Sequence, residues 1–334
     1  MPPTHSLTVA DIRIELEEAQ ALTFPSHTDC NSPIWWSDGQ MHILNSTGHP
    51  VHSTGSDLEH MTRGTHIIYN AWRDGGRWIE SVHQDPDGTL YGWYHNEPAH
   101  YVPDEYHQGR QFPMTAPFIG AAASRDNGAT WDDLGLILAG GPETLDLEGR
   151  NFWFAGGNGD FSVILDRAGD YFYFLFGTYY KDVAQQGISL ARMPYADRQG
   201  PVGKVQKWHA GGWTQPGLNG AVTPVLPVAA SWYDPVPDTF WGPSVHWNTA
   251  IQRYVILMNR AIDPRWKQDG IYLSLTADLS DPHSWTAPVR ILETSGWYPQ
   301  VVGLTPGGTE RQADAVSRLF VHGTSNHVLR LSKT

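Results

Sequence analysis

The stretch Gly159-Asp160-Phe161-Ser162-Val163-Ile164-Leu165, a turn at Arg167-Ala168-Gly169, and Tyr171-Phe172-Tyr173-Phe174-Leu175-Phe176-Gly177 reads as two β-strands joined tightly. Branched and aromatic residues fill both runs, and Gly and Asp punctuate them. Gly187-Ile188-Ser189-Leu190-Ala191-Arg192 supplies a third strand, and a Trp-bearing segment reaching Trp213 a fourth. Whether this four-strand unit recurs decides the fold.

It does recur. An earlier unit holds Asp29-Cys30-Asn31-Ser32-Pro33-Ile34-Trp35-Trp36, turns at Ser37-Asp38-Gly39 and continues through Met41 to Asn45. The next runs from Trp78 to His83, turns at Asp85-Pro86-Asp87-Gly88, and returns through Leu90 to His95. Its second half is Phe118 to Ala123, a turn at Asp126-Asn127-Gly128, and Trp131 to Leu138. A fourth unit spans Trp241 to Leu292, and a fifth begins at Trp297-Tyr298-Pro299-Gln300. Five units of roughly 45–70 residues match four-stranded propeller blades. The last unit is short of a strand. The alternating segment Leu7 to Ile14 is expected to supply it and remove an exposed edge. The expectation is an all-β, five-bladed β-propeller forming one domain over residues 1–334. A large sandwich is the alternative, and Val9 to Leu22 also admits a helix.

Composition narrows the function. The 334 residues carry 22 Lys and Arg against 35 Asp and Glu, a formal charge of −13. No Lys/Arg run is present, which argues against a nucleic-acid partner. No apolar stretch of about 18 residues exists, so no membrane helix is expected. The first residues lack a basic region followed by an apolar one, so a cytoplasmic location is expected, with a trimmed secreted form left open. Cys30 is the sole cysteine, which rules out an internal disulfide or a CxxC site. Its place beside Asp29 suggests a buried thiol. The 15 Trp, 14 Tyr and 11 Phe are far above ordinary usage and call for an explanation.

Propeller geometry places the starts of the innermost strands on one face, around the axis. They read Asp29, Glu80, Asp160, Phe240-Trp241 and Trp297-Tyr298. Loops after the second strands return to that face and bring His95, Asn96, Glu97, Tyr179, Tyr180, Arg260 and His322. Acids, Trp and Tyr around one funnel suit sugar chemistry. Glycoside cleavage needs a protonated carboxylic acid at the leaving oxygen and an ionised carboxylate acting on water or on carbon. A third acid nearby pushes their pKa values apart. Aromatic faces stack on the C–H faces of sugar rings. Any one Asp is more simply a turn or cap residue. Three acids at one repeat position are what raise the functional reading.

The residues also resemble a known family. Asp29-Cys30-Asn31-Ser32-Pro33, followed by an aromatic pair and Asp38-Gly39, resembles the first-blade motif of five-bladed glycoside hydrolases of the family 43 and 62 type. The resemblance implies that Asp29 is the general base. Gly159-Asp160-Phe161-Ser162-Val163-Ile164-Leu165-Asp166 resembles the third-blade motif, which implies that Asp160 tunes pKa and orients the acid. Trp241-Gly242-Pro243-Ser244-Val245-His246-Trp247 resembles the Glu-Gly-Pro blade, with Trp241 in place of the acid. Glu80 and Glu97 are the expected replacements. Trp36, His95, Tyr179, Trp241, His246, Arg260 and Trp297 are the expected substrate contacts. The resemblance implies inversion and admits a structural Ca2+ at the axis. No catalytic metal or other cofactor is expected, and the expected partner is a carbohydrate. A lectin-like propeller without catalysis is the second reading, favoured by Trp241. A polysaccharide lyase is a third.

Other signals read as structural. Ser124-Arg125-Asp126-Asn127-Gly128-Ala129-Thr130-Trp131 fits the Asp-box pattern of sialidases and other propellers. Its content is a hairpin in which Asp caps backbone N–H groups, Gly takes positive φ and Trp packs beneath. No arginine set for sialidase chemistry accompanies it. The 16 His show no metal-ligand spacing, and Gly156-Gly157-Asn158-Gly159 is no phosphate loop.

Overall fold

The structure, a computed structural model, describes residues 5–98, 100–107, 114–149, 153–263 and 265–334. Among these there is no α-helix, and the strands form five sheets. Blade one is Ile34–Ser37, Gln40–Asn45, Val51–Gly55 and Met61–His66. Blade two is Gly76–Gln84, Leu90–Glu97, Phe118–Ser124 and Thr130–Leu138. Blade three is Asn158–Leu165, Tyr171–Thr178, Gly187–Pro194 and Gln206–His209, with Gly212–Pro216 outside them. Blade four is Thr239–Asn248, Arg253–Ala261, Gln268–Thr276 and Val289–Leu292. Blade five is Pro299–Gly303, Val316–Val321 and Thr324–Lys333. The sheets form the five-bladed β-propeller that the repeats imply.

Strand alternation builds the core. Along Tyr171–Thr178, Phe172, Phe174 and Phe176 pack with Trp93 and Ile119 of blade two, while Tyr173 and Leu175 pack with Val245 and Tyr254 of blade four. A strand buried on both faces reads as a continuous apolar run for this reason. The same device fills the other gaps. Trp35, Ile79, Tyr94 and Trp131 lie between blades one and two, and Phe24 stacks on Phe320 at 4.1 Å between blades five and one.

The chain closes on itself. Ile12–Thr23 pairs antiparallel with Thr324–Lys333, and His5–Val9 pairs outside it. The expected single strand is thus a hairpin, turned at Ala10, whose φ is +51°. The helical alternative for this segment fails on its periodicity. Ile12, Ile14 and Leu16 are buried while Arg13, Glu15 and Glu17 face outward, a period of two.

The Asp box forms as its sequence implies. Asp126 accepts from the Thr130 amide at 2.9 Å and from the Thr130 hydroxyl at 2.6 Å. The Gly128 φ is +90°, and a Cβ there would lie 2.8 Å from the Trp35 ring. Trp131 is fully buried and donates to the Gly128 carbonyl at 2.9 Å.

Deleting residues 5–23 would uncover Leu329 and Leu331 and leave an unpaired edge. Each of Ile12, Ile14 and Leu16 contributes about 1.5–3 kcal/mol by burial. We expect the truncated chain to lose its cooperative melting transition and to scatter light at room temperature. A melting temperature within about 5 °C of the full chain would show that closure adds little.

Candidate functional site

A cavity of about 670 Å³ lies on the face where the inner strands begin, and all five blades contribute to it. Asp29, Gly76, Asp160, Trp241 and Trp297-Tyr298 are the blade-by-blade contributions. Glu97, at the end of the second strand of blade two, completes the acidic wall. Trp153, Phe154 and Trp266 add aromatic faces from the connections.

Local irregularity aims the key groups. The inner strands of blades two, three and four each carry a bulge near this face: between Ile79 and Ser81, between Gly159 and Phe161, and between Trp241 and Ser244. A bulge adds an unpaired residue and re-aims its side chain. Glu80 and Asp160 are those extra residues. Asp160 sits at φ +45°, a left-handed conformation uncommon for a non-glycine residue. In blade four Gly242 takes the same left-handed conformation at φ +60°, which a glycine adopts without strain.

Asp160 is held rigidly. Tyr179 donates to Oδ2 at 2.5 Å and Tyr298 donates to Oδ1 at 2.8 Å. Burial raises its carboxyl pKa, opposed by His95 and by both tyrosine hydrogen bonds. Glu80 lies behind the wall, 1% exposed, and accepts from the Phe161 amide at 3.1 Å. Burial pushes it up to about 7, with hydrogen bonding and attraction from His95 working the other way.

His95 joins the two glutamates. Its Nε2 lies 3.0 Å from Glu97 Oε1, and its Nδ1 lies 3.3 Å from Glu80 Oε1 and 3.2 Å from the Asp160 amide nitrogen. A protonated Nδ1 gives its proton to Glu80; a bare Nδ1 accepts from the amide. Burial pulls the imidazole down, but its bonds to Glu80 and Glu97 hold it well above its usual value. Donor atoms of Glu80, His95 and Asp160 come within 4.8 Å of one another, as a metal site would require. The Phe161 amide and the two tyrosines already engage three of the four carboxylate oxygens. The fourth, Glu80 Oε1, faces His95 Nδ1 across 3.3 Å.

Asp29 precedes the first strand of blade one, and its amide donates to the Ser46 carbonyl at 2.7 Å. It opens onto the cavity while standing among other acids. Desolvation first, then Asp160 and Glu97, raise its pKa to about 6, against the pull of His95.

The structure brings together most of the residues singled out in the sequence. Asp29, Glu97, Asp160, Trp241 and Trp297 line the cavity, and Glu80, His95 and Tyr179 stand directly behind it. Three candidates lie elsewhere. Trp36 packs beside Met41 and Leu22 and donates to the Gly308 carbonyl at 3.0 Å. Arg260 is committed to Asp238 at 2.6 Å and Asp269 at 3.0 Å. His246 is fully buried in the inner strand of blade four, with neither ring nitrogen partnered, and burial pushes it down to about 3. A Ca2+ ion favours a cage of oxygens, and no acidic cluster around His246 appears among the described residues. Sequence reasoning missed Gly75, His100, Asp104, Thr115, Trp153, Phe154, Trp266 and the role of Tyr298. Apart from Tyr298, these stand on connections outside the strand repeat.

No protein-family model matches the chain, and no curated protein matches it by sequence. Solved structures do match. An endo-arabinase from Bacteroides thetaiotaomicron aligns with a TM-score of 0.54 at 11% identity, over 95% of this chain and 98% of that one. An exo-1,5-α-L-arabinanase from a bovine ruminal metagenomic library aligns at 0.51 and 11% identity, over 92% and 95%. An exo-β-1,3-galactanase from Phanerochaete chrysosporium, solved with β-1,3-galactotriose, aligns at 0.53 and 11% identity, over 93% of this chain and 64% of that one. The likeness is one of fold: the chain has the five-bladed architecture of these glycoside hydrolases.

The electrostatics make a test. The folded pKa of Asp29, about 6, lies above its ordinary 3.8. Stability linked to this group is therefore present below its ordinary pKa and lost as pH rises through about 6. Asp29→Asn should raise Tm at neutral pH and leave it nearly unchanged under acidic conditions. By carbon-13 NMR the Asp29 carboxyl should titrate near 6, and lower in Asp160→Asn. An ordinary midpoint in the wild type would refute the crowding.

Proposed function

We propose that the protein is a glycoside hydrolase cleaving an oligo- or polysaccharide by inverting acid/base catalysis. The observation that carries this reading is the convergence of Asp29, Glu97 and Asp160 on one aromatic-walled cavity fed by all five blades. Asp29, open to the cavity, takes a proton from water as the water oxygen attacks the anomeric carbon. Glu97 gives a proton to the leaving oxygen as the glycosidic C–O bond breaks. Asp160, pinned by Tyr179 and Tyr298, holds a fixed negative field beside Asp29. Glu80 is too deeply buried to reach substrate. It acts through His95, as one end of a hydrogen-bonded chain that stores a proton behind Glu97. Trp297, partly exposed at the cavity wall, offers a face for a sugar ring.

Trp241, standing where the resembling motif has its acid, is the specific observation behind a second reading, a carbohydrate-binding propeller without catalysis. Assay of aryl glycosides and polysaccharides separates the two. Asp29→Ala and Glu97→Gln should each lower kcat by about 10²–10⁴-fold. Glu80→Gln should instead shift the pH profile while leaving KM near wild type. Cleavage undiminished in Asp29→Ala would sink the mechanism, and binding without cleavage in the wild type would leave the lectin.

A further inference from the structure

Lys207 lies on the fourth strand of blade three, completely buried, and the chemistry proposed above makes no use of it. Its ammonium donates to the carbonyls of Ala139 at 2.8 Å and Gly220 at 3.0 Å. It also donates to the Asn158 side-chain oxygen at 3.2 Å and the Tyr180 hydroxyl at 2.8 Å. Taking an ammonium out of water is costly even when its hydrogens are bonded. What the cage accomplishes lies in the segments it joins.

Two of the four partners belong to the frame of Asp160. Asn158 opens the inner strand of blade three, two residues before Asp160. Asn158 with Thr178 and Gly159 with Gly177 are the only ladder pairs to the second strand before the bulge breaks the register. Tyr180 follows Tyr179, the phenol that donates to Asp160 Oδ2. The Tyr180 hydroxyl donates to the Asn158 side-chain oxygen at 3.1 Å and accepts from Lys207. Lys207 Nζ, Tyr180 Oη and Asn158 Oδ1 thus close a triangle with sides of 2.8, 3.1 and 3.2 Å. One corner fixes the backbone ahead of Asp160, and another fixes the segment that carries its clamp. The remaining contacts root the triangle. Ala139 follows the last strand of blade two, and its carbonyl also accepts from the Asn219 amide at 3.0 Å, beside Gly220.

We propose that Lys207 is a positioning residue for Asp160. It locks the start of the bulged strand to the tyrosine pair and so keeps the Tyr179 hydroxyl on the carboxylate. The proposal rests on the reading that Asp160 serves the cavity, and it does not require hydrolysis. Asp160 needs such support, because a non-glycine residue at φ +45° persists only where its surroundings over-determine it.

The test is carbon-13 NMR titration of the Asp160 carboxyl in the full chain. Lys207→Met roughly keeps the side-chain length and removes the donors. Its Asp160 midpoint should rise by about one pH unit, because the Tyr179 hydrogen bond holds that midpoint down. Loss of a positive charge would raise it too, and a Tyr179→Phe background separates the two causes. There the clamp is already gone, and Lys207→Met should add almost nothing. An equal rise in both backgrounds makes Lys207 a distant charge and overturns the proposal, as does an unmoved midpoint in Lys207→Met. Should Lys207→Met fail to fold, Tyr180→Phe keeps the ammonium and breaks two sides of the triangle. Its Asp160 midpoint should also rise, and an unmoved one overturns the proposal. A chain that cleaves no glycan removes the hydrolase reading and leaves these midpoints to decide the role of Lys207.

Discussion

The inner strand of each blade has an edge that no strand of its own blade completes. In blade four Trp247 and Asn248 pair there with Gln312–Ala313; along the rest of these edges, among the described residues, the backbone N–H groups have no β ladder to join. Leaving them bare would cost about 1–3 kcal/mol each. Side chains of adjoining blades fill the gap. Ser81 of blade two accepts from the Val163 amide at 2.9 Å, and Ser162 of blade three accepts from Val245 at 3.2 Å. Gln300 of blade five accepts from the Ser32 amide at 2.7 Å and donates to its carbonyl at 3.0 Å. Asn31 donates to the carbonyls of Phe161 and Pro243 at 2.8 Å each, tying blade one to blades three and four. The ring is sewn together at its centre by polar side chains, with the apolar gaps between blades lying farther out.

This stitching explains where the chemistry falls. Glu80 is one of the stitches, since it accepts from the Phe161 amide, and the same carboxyl faces His95. Blade two thereby delivers two glutamates to one histidine, Glu80 behind the wall and Glu97 on it. In blade four the matching bulge is Gly242-Pro243, and just before it stands Trp241, whose indole donates to Gln268 at 3.0 Å. A further carboxylate at that place would add repulsion to a cavity where Asp29 is already driven upward. The indole instead packs into an aromatic cluster with Phe154, Tyr179 and Trp266 at the cavity floor.

The fold was legible because a propeller states itself twice along the chain, in the spacing of its turns and in the alternation of its strands. Phe172, Phe174 and Phe176 against Tyr173 and Leu175 already hold the two faces of blade three. The face carrying Asp29, Glu97, Asp160, Trp241 and Trp297 followed from topology alone. Trp36, His246 and Arg260 did not follow, for separate reasons. Trp36 is spent on a blade interface, His246 lies deep in an inner strand, and Arg260 answers nearby aspartates. Trp153 and Phe154, on the connection between blades two and three, and Trp266, in a loop within blade four, were illegible because loops have no period. Their placement depends on where the chain crosses the face. The bulges that aim Glu80 and Asp160 leave no mark in single-sequence alternation either, since one extra residue is indistinguishable from a shifted register.

The treatment of charge elsewhere in the molecule shows what is unusual about the cavity. Asp133 is bound by Arg73 at 2.8 Å, Asp85 by Arg198 at 2.7 Å, and Glu310 by Arg311 at 3.1 Å. Lys207, completely buried, is caged by four oxygens, those of Ala139, Asn158, Tyr180 and Gly220, at 2.8–3.2 Å. Burial draws its ammonium down to about 7, and the oxygens replace much of the water it lost. A fold that meets its other buried charges so fully has the means to neutralise Asp29, Glu97 and Asp160. Among the described residues it sets only His95 against them, and it clamps Asp160 with neutral phenols. Stability alone gives no reason for that arrangement, because like charges held together in a partly desolvated space oppose folding. With a single imidazole set against three carboxylates at one cavity, this cluster makes physical sense as a group whose remaining counter-charge or proton arrives with a ligand.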